Sequence, residues 1–265
     1  MKNYLIIGNP ITHSLSPKLH NFWFKENHID GNYGKISPSK DEIKIIIKKI
    51  KNREIDGINV TVPFKQIVIP FLETSSETVI STGSVNTIFI KNGKIHGENT
   101  DVYGFEKSLI CNNINLKDKS AFIFGAGGVV PSLIAALLNM KIKKIFISNR
   151  TLENSELIKK KFDFVEIVEW GKTENCDLFI NSTSLGLKIG ESIKLNFDNI
   201  GQNKIFYDVI YNPPKTTFLS EAENNGHKII NGRDMFLYQA QKAFNLWHNF
   251  TPKVNENLIK YLYND

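Results

Sequence analysis

The chain has 265 residues, 41% of them hydrophobic, with 33 lysines and arginines against 27 acidic residues and a formal net charge of +6. This is enough chain and apolar content for two domains of ordinary size with proper cores, and it contains no run of about 18 apolar residues to span a bilayer. Only three of the basic residues are arginines, Arg53, Arg150 and Arg233, and the lysines sit among acidic neighbours in segments such as KDEIKIIIKKIKN. That is the pattern of solvated helix faces, so neither nucleic acid nor membrane is expected as a partner.

Strand-like and helix-like segments alternate from the start, as in a parallel α/β sheet. Tyr4 to Ile7 predicts a first strand, and Leu5 to Ile7 is too short for the core of a signal peptide. In the loop GNPITHSLSP, Ser16 and Pro17 read as the N-cap and first residue of a helix reaching about Asn27. A second strand is expected near Tyr33. Ser39 and Glu42 form a capping box ahead of a helix whose Ile43, Ile46, Ile47 and Ile50 share one face. The run GINVTVPFK, Gly57 to Lys65, predicts a buried strand over Ile58 to Val62, stopped by Pro63, with Thr61 and Lys65 at its end. Strand ends in such sheets present chemistry, although Lys65 taken alone is an ordinary lysine after a turn. Gln66 to Leu72 reads as a helix, and SVNTIFIKNGKIHGENTD as a hairpin turning at Asn92 and Gly93.

Val102 to Lys119 reads as a connecting helix and polar linker, which places a domain boundary after residue 101. A second α/β unit opens with AFIFGAGGVV, which supplies strand, glycine turn and helix start in the order that dinucleotide binding requires. Gly125 permits the tight turn, while Gly127 and Gly128 let amides approach a pyrophosphate at the positive end of the helix. Val130 stands at the third glycine position and Pro131 in the first helical turn, where proline is tolerated. The next strand ends in SNRT, with Asn149 and Arg150 where an NAD enzyme usually carries an acidic residue. An arginine there can pair with a 2′-phosphate, so the expected cofactor is NADP. Cys111 and Cys176 have neither metal-ligand spacing nor a disulfide framework around them, no metal site is visible, and a reducing, cytoplasmic location follows as the expectation.

GNPITHSLSP, NVTVPFK, SVNT, NTD, GAGG, SNRT, NSTSLG, IYNPPKT and NGRDMFLYQAQKAFNLW together resemble, in order, the motifs of the shikimate dehydrogenase family over nearly the whole chain. The resemblance implies an α/β fold with an N-terminal substrate domain, residues 1–101, built on a mainly parallel sheet and completed by C-terminal helices over 233–265. It further implies a Rossmann-like NADP-binding domain over 102–232, with a cleft between the two. The implied reaction is the reversible NADPH-dependent reduction of 3-dehydroshikimate to shikimate. Ser14 and Ser16 match the residues that bind the substrate carboxylate. Thr61, Lys65, Asn86 and Asp101 match those around the ring hydroxyls and reacting oxygen, and Tyr211 and Gln239 match further substrate contacts. For the cofactor, Gly125, Ala126, Gly127, Gly128 and Val129 are implied at the pyrophosphate, and Asn149, Arg150 and Thr151 at the adenosine phosphate. Thr183, Val209, Gly232 and Met235 are implied along the nicotinamide half, with Glu77 as a further approach.

Within that reading Lys65 is the acid in reduction and the base in oxidation, with Asp101 as its partner. A neighbouring carboxylate favours an ammonium and desolvation disfavours it, and the sequence leaves that balance open. Many family members carry a second basic residue near position 154, where this chain has Asn154, which leaves Arg150 as the one expected phosphate clamp. Two alternatives stand beside the main reading: a dehydrogenase acting on both quinate and shikimate, and a non-catalytic sensor of a polyol or dinucleotide. A homodimer is admitted without being specified.

Overall fold

The computed structural model describes residues 1–188 and 190–263. The chain divides into two compact units, Met1–Gly104 together with the chain from Leu237 onward, and Phe105–Phe236.

The first unit opens with β1 (Lys2–Ile7), α1 (Ser16–Glu26), β2 (Gly31–Ile36), α2 (Lys40–Lys51) and β3 (Gly57–Val60). It continues through β4 (Thr74–Ser75), α3 (Glu77–Thr82), β5 (Thr87–Lys91), β6 (Lys94–Glu98) and the start of α4 (Thr100–Cys111). Its sheet has the order β2-β1-β3-β5-β6-β4. The strands β2, β1 and β3 run parallel, whereas β5 pairs antiparallel with both β3 and β6. Ser39 and Glu42 form the expected capping box, and Ile43, Ile46, Ile47 and Ile50 enter the core with Ile58, Val60, Phe64 and Val68. Asn92 and Gly93 both adopt positive φ between Lys91 and its partner Lys94, the geometry of a two-residue hairpin.

Three local expectations are corrected. Leu15, not Ser16, precedes the first helical turn of α1, and no side chain caps it. The strand β3 ends at Val60 and not Val62, which already lies in the turn that follows. Gln66 to Leu72 is a series of turns with only a 3₁₀ segment, Ile69–Phe71. Pro70 within that stretch removes an amide donor and denies it a regular helix.

The second unit runs through β7 (Ser120–Phe124), α5 (Val130–Asn139), β8 (Lys144–Ser148), α6 (Leu152–Lys161), β9 (Glu166–Ile167), β10 (Leu178–Asn181), β11 (Ile205–Asp208), α7 (Thr217–Asn224) and β12 (Lys228–Ile230). Its strands are all parallel, in the order β12-β11-β10-β7-β8-β9. Numbered from β7, this is the doubly wound order in which the chain reverses direction between β7 and β10. Strands buried on both faces explain why Ala121–Phe124 and Leu178–Ile180 read as unbroken apolar runs. The last elements are α8 (Arg233–His248) and α9 (Glu256–Tyr263).

From Leu237 onward the chain completes the first unit. Trp247 stacks on Tyr4 at 4.6 Å, Phe244 meets Trp23 edge-on, and the Trp23 indole donates to the Lys253 carbonyl at 3.0 Å. Gly57 is required beside Trp247, since a Cβ there would stand 2.6 Å from the indole nitrogen. Among the described residues no helix is long and apolar enough to cross a membrane.

Candidate active site

The strand pairing of the first unit brings one set of predicted residues to a single edge of its sheet. Ile7 is opposite Val60, so the loop carrying Ser14 and the turn carrying Thr61 leave the same edge. The antiparallel strand β5 begins there, opposite Asn59, and β6 ends there, with Thr87 opposite Glu98. Asn86 and Asp101 are thereby delivered beside the end of β3, although they lie far apart in sequence.

Lys65 and Asp101 form a buried ion pair, with Nζ 2.5 Å from Oδ2 and side chains only 11% and 9% exposed. Lys65 is therefore not the solvated lysine its residue type suggests. Removing one partner of such a pair strands a buried charge, at a cost of roughly 3–5 kcal/mol, so the two residues are expected to be needed together. The other Asp101 oxygen accepts from Asn86 Nδ2 at 2.9 Å, and the Asp101 amide donates to Asn99 Oδ1 at 3.1 Å. Asn86 also reaches Gln239 Oε1 at 3.4 Å, so Lys65, Asp101, Asn86 and Gln239 form one constellation.

A buried polar network that the sequence reading did not single out supports it. Asn59 Nδ2 donates to the Asn86 carbonyl and to Thr87 Oγ1, both at 3.0 Å, and Thr87 donates to Asn86 Oδ1 at 3.1 Å. The Thr100 amide donates to the same oxygen at 2.7 Å. A backbone carbonyl only accepts, so the Asn59 amide is fixed in orientation and its Oδ1 accepts from the Tyr33 hydroxyl at 2.6 Å. The Ser16 hydroxyl bonds to Tyr33 in turn, while burial drives the Tyr33 phenol well above its usual range. An asparagine inside the otherwise apolar run GINV was the available signal for this network, because a buried polar group requires partners.

Ser16 is buried, and its amide donates to Ser14 Oγ at 3.3 Å. Thr61 packs beside Gly8, where a Cβ would stand 2.3 Å from its methyl group. Tyr211 belongs to the second unit and stacks on Phe236 at 4.5 Å.

In the second unit the cofactor candidates gather at the carboxyl ends of the strands. Gly125 has φ +105°, and a Cβ on it would meet Ser182, which follows β10, at 2.7 Å. The glycine turn thus sits at the switch point between β7 and β10. Gly127 and Gly128 have open space where a Cβ would stand, just before the N-terminus of α5. That opening beside a helix N-terminus suits a pyrophosphate, and the residues present fit the group. Ala126 and Val129 complete the turn, with Val129 at the helix N-cap. Asn149 is held by its Nδ2 on the Thr151 carbonyl at 2.7 Å, whereas Arg150 and Thr151 are exposed ahead of α6.

Thr183 donates to Asn181 Oδ1 from both its amide and its hydroxyl, at 2.9 and 2.7 Å. Val209 follows β11, and Gly232 packs so closely on it that a Cβ would lie 2.1 Å from the Val209 carbonyl oxygen. Met235 is buried in the first turn of α8. Glu77 alone of the cofactor candidates lies in the first unit, exposed at the start of α3.

A doubly wound parallel sheet with an open glycine turn at its switch point, joined in one chain to a unit holding a buried ammonium–carboxylate pair, defines the class: a dinucleotide-dependent oxidoreductase. Residues 6–88 match the family described as shikimate dehydrogenase substrate binding domain, and residues 108–204 that described as shikimate / quinate 5-dehydrogenase. The chain is 49% identical over 261 residues to shikimate dehydrogenase (NADP(+)) of Pelagibacter ubique, covering 98% of each. It is 36% identical to the protein of that name from Caldicellulosiruptor saccharolyticus, covering 99% of this chain and 98% of the relative. Among solved structures, shikimate 5-dehydrogenase from Listeria monocytogenes in complex with shikimate and NAD superposes with a TM-score of 0.92 at 28% identity, covering 99% of this chain and 96% of the other. The Thermus thermophilus enzyme in complex with NADP(H) and shikimate gives 0.90 at 28% identity, covering 100% and 99%. This chain belongs to the shikimate dehydrogenase family.

Proposed function

We propose that the chain catalyses the reversible, NADPH-dependent reduction of 3-dehydroshikimate to shikimate, a step of aromatic amino acid biosynthesis. The observation that carries the reading is the buried Lys65–Asp101 pair, fixed through Asn86 and Gln239 on one sheet edge, in a chain 49% identical to a shikimate dehydrogenase (NADP(+)). The alternatives of dual quinate specificity and of a non-catalytic sensor are not favoured.

When bound, the cofactor supplies a hydride to the carbonyl carbon. Lys65 donates a proton to the oxygen on which negative charge develops, and its ammonium stabilises that charge before transfer. Asp101 holds the ammonium in place and keeps it compensated when water is excluded. In oxidation the direction reverses, and Lys65 receives the hydroxyl proton. Ser14 and Ser16 are assigned to the substrate carboxylate, and Thr61, Asn86, Tyr211 and Gln239 to its ring. The substrate role falls to the unit around residues 1–101 with the C-terminal helices over 233–265, and the cofactor role to residues 102–232. Gly125 to Val129 hold the pyrophosphate, with Asn149, Arg150 and Thr151 at the 2′-phosphate and Thr183, Val209, Gly232 and Met235 at the nicotinamide. A cytoplasmic location suits the two free thiols, Cys111 and Cys176.

The test is a spectrophotometric assay of the purified protein, following reduction of NADP⁺ or NAD⁺ with shikimate or quinate. Turnover is expected with shikimate and NADP⁺, at a higher kcat/KM than with the other pairings. No turnover with shikimate would overturn the reading. In Arg150→Ala the loss should fall on NADP⁺ and spare NAD⁺, and an equal loss with both would remove Arg150 from the phosphate site.

A further inference from the structure

Asp208, at the carboxyl end of β11, is a fully buried acid that the proposed chemistry does not use, and among the described residues no cation pairs with it. Three neutral donors hold it instead. Thr216 Oγ1 and Asn181 Nδ2 donate to Oδ2 at 2.6 and 3.0 Å, and the Ile210 amide donates to Oδ1 at 2.9 Å. Burial raises its carboxyl to about 6 against the pull of those bonds.

What the carboxylate fixes is specific. Asn181 Nδ2 faces two groups that only accept, the carboxylate and the Leu185 carbonyl at 3.0 Å, so its amide has one orientation. Its Oδ1 is thereby turned to the amide and hydroxyl of Thr183. On the other side Ile210, held through its amide, accepts from the Gly232 amide at 3.0 Å, and the Val209 amide donates to the Asn181 carbonyl at 3.0 Å. One carboxylate therefore ties together the segments carrying Thr183, Val209 and Gly232. Its bonds include none to Gly125–Val129 or Asn149–Thr151.

We propose that Asp208 is a positioning residue for the nicotinamide half of the cofactor site, acting through Asn181 on Thr183 and through Ile210 on Gly232. The inference rests on the NADP reading above. In Asp208→Asn the new NH2 must face either the Ile210 amide or the Asn181 and Thr216 donors, so one of the two arms, to Gly232 or to Thr183, loses its acceptor.

The experiment measures binding to the full chain without shikimate, by the fluorescence of NADPH. A parallel calorimetric titration uses adenosine 2′,5′-bisphosphate, which has the adenosine half and no nicotinamide. Asp208→Asn should weaken NADPH by about tenfold or more and leave the bisphosphate within about twofold of wild type. A merely structural role would weaken both ligands together, and that result, or unchanged NADPH affinity, would overturn the proposal. Should Asp208→Asn fail to fold, Thr216→Val removes one donor and keeps the carboxylate, and the same split or its absence decides. A wild-type chain that does not bind NADPH would bring down the NADP reading and this inference with it. Wild-type binding with unchanged variants would bring down the inference alone.

Discussion

Lys65 illustrates how far a side chain's chemistry depends on its surroundings. In water its charge is unremarkable, whereas here it is paired with Asp101 at 2.5 Å in a place where neither group is well solvated. In the proposed reaction, an alkoxide developing beside that ammonium would gain more than it would in water, because the local dielectric is low and the donor is already oriented. Lys65→Ala is accordingly expected to lower kcat by roughly 10²-fold or more with a smaller change in KM, the pattern of an interaction made mainly in the transition state. Steady-state kinetics with shikimate and NADP⁺ decide this, and a near-normal kcat would take Lys65 out of the mechanism.

At the scale of elements, two glycines of the second unit meet different surroundings, and substitution separates them. Gly232 faces the Val209 carbonyl too closely for any side chain, so Gly232→Ala must shift backbone and is expected to cost about 1–3 kcal/mol as well as cofactor affinity. Gly127 has open space around its missing Cβ, so Gly127→Ala should leave the denaturation midpoint nearly unchanged and weaken NADPH binding by filling the phosphate space. Denaturant titration paired with NADPH titration tests both. The same contrast explains what the sequence disclosed. The Asn92–Gly93 turn, the Ser39–Glu42 box and the Gly125 turn are written in adjacent residues and were legible. The helix expected over Gln66 to Leu72 and the cap expected at Ser16 depended on how the chain leaves β3 and enters α1, and both differed. Asn59–Thr87 and Asn181–Asp208 meet only because their strands pair in register, which no local pattern shows.

Across the molecule, two buried imidazoles contribute to the response to acid. His20 stacks on Tyr33 at 4.3 Å, and burial, with a smaller contribution from His248, lowers it to about 3. His248 is lowered to about 4, chiefly by burial, with Lys2 adding to this and Asp56 opposing it. Each remains neutral when folded while the unfolded chain takes up a proton below its ordinary value near 6.5. Their contribution to stability is thus present above that pH and is lost as the pH falls toward the folded values, at roughly 1.4 kcal/mol per pH unit for the fully buried His20 and less for the partly solvated His248. Asp208 acts in the opposite sense, since its raised carboxyl binds a proton in the folded state first, between about 6 and its ordinary value near 3.8. The net expectation is falling stability from about pH 6.5 to 4, flattened in His20→Phe, which keeps a ring in the stack and cannot protonate. Urea denaturation across that range checks it, and an equally steep fall in the variant would exclude His20 as a cause.

The first unit is closed by helices that come last in the chain, and this orders events at the ribosome. Every strand of the second unit, continuous from Phe105 to Phe236, is translated before Phe244 and Trp247 exist to cover Tyr4, His20 and Trp23. During elongation the second unit has all of its sequence available, while the N-terminal sheet waits with an aromatic face uncovered. A nascent chain stalled before Leu237 would present that face to chaperones and proteases, so the interval between the two units is where this protein is most exposed to quality control.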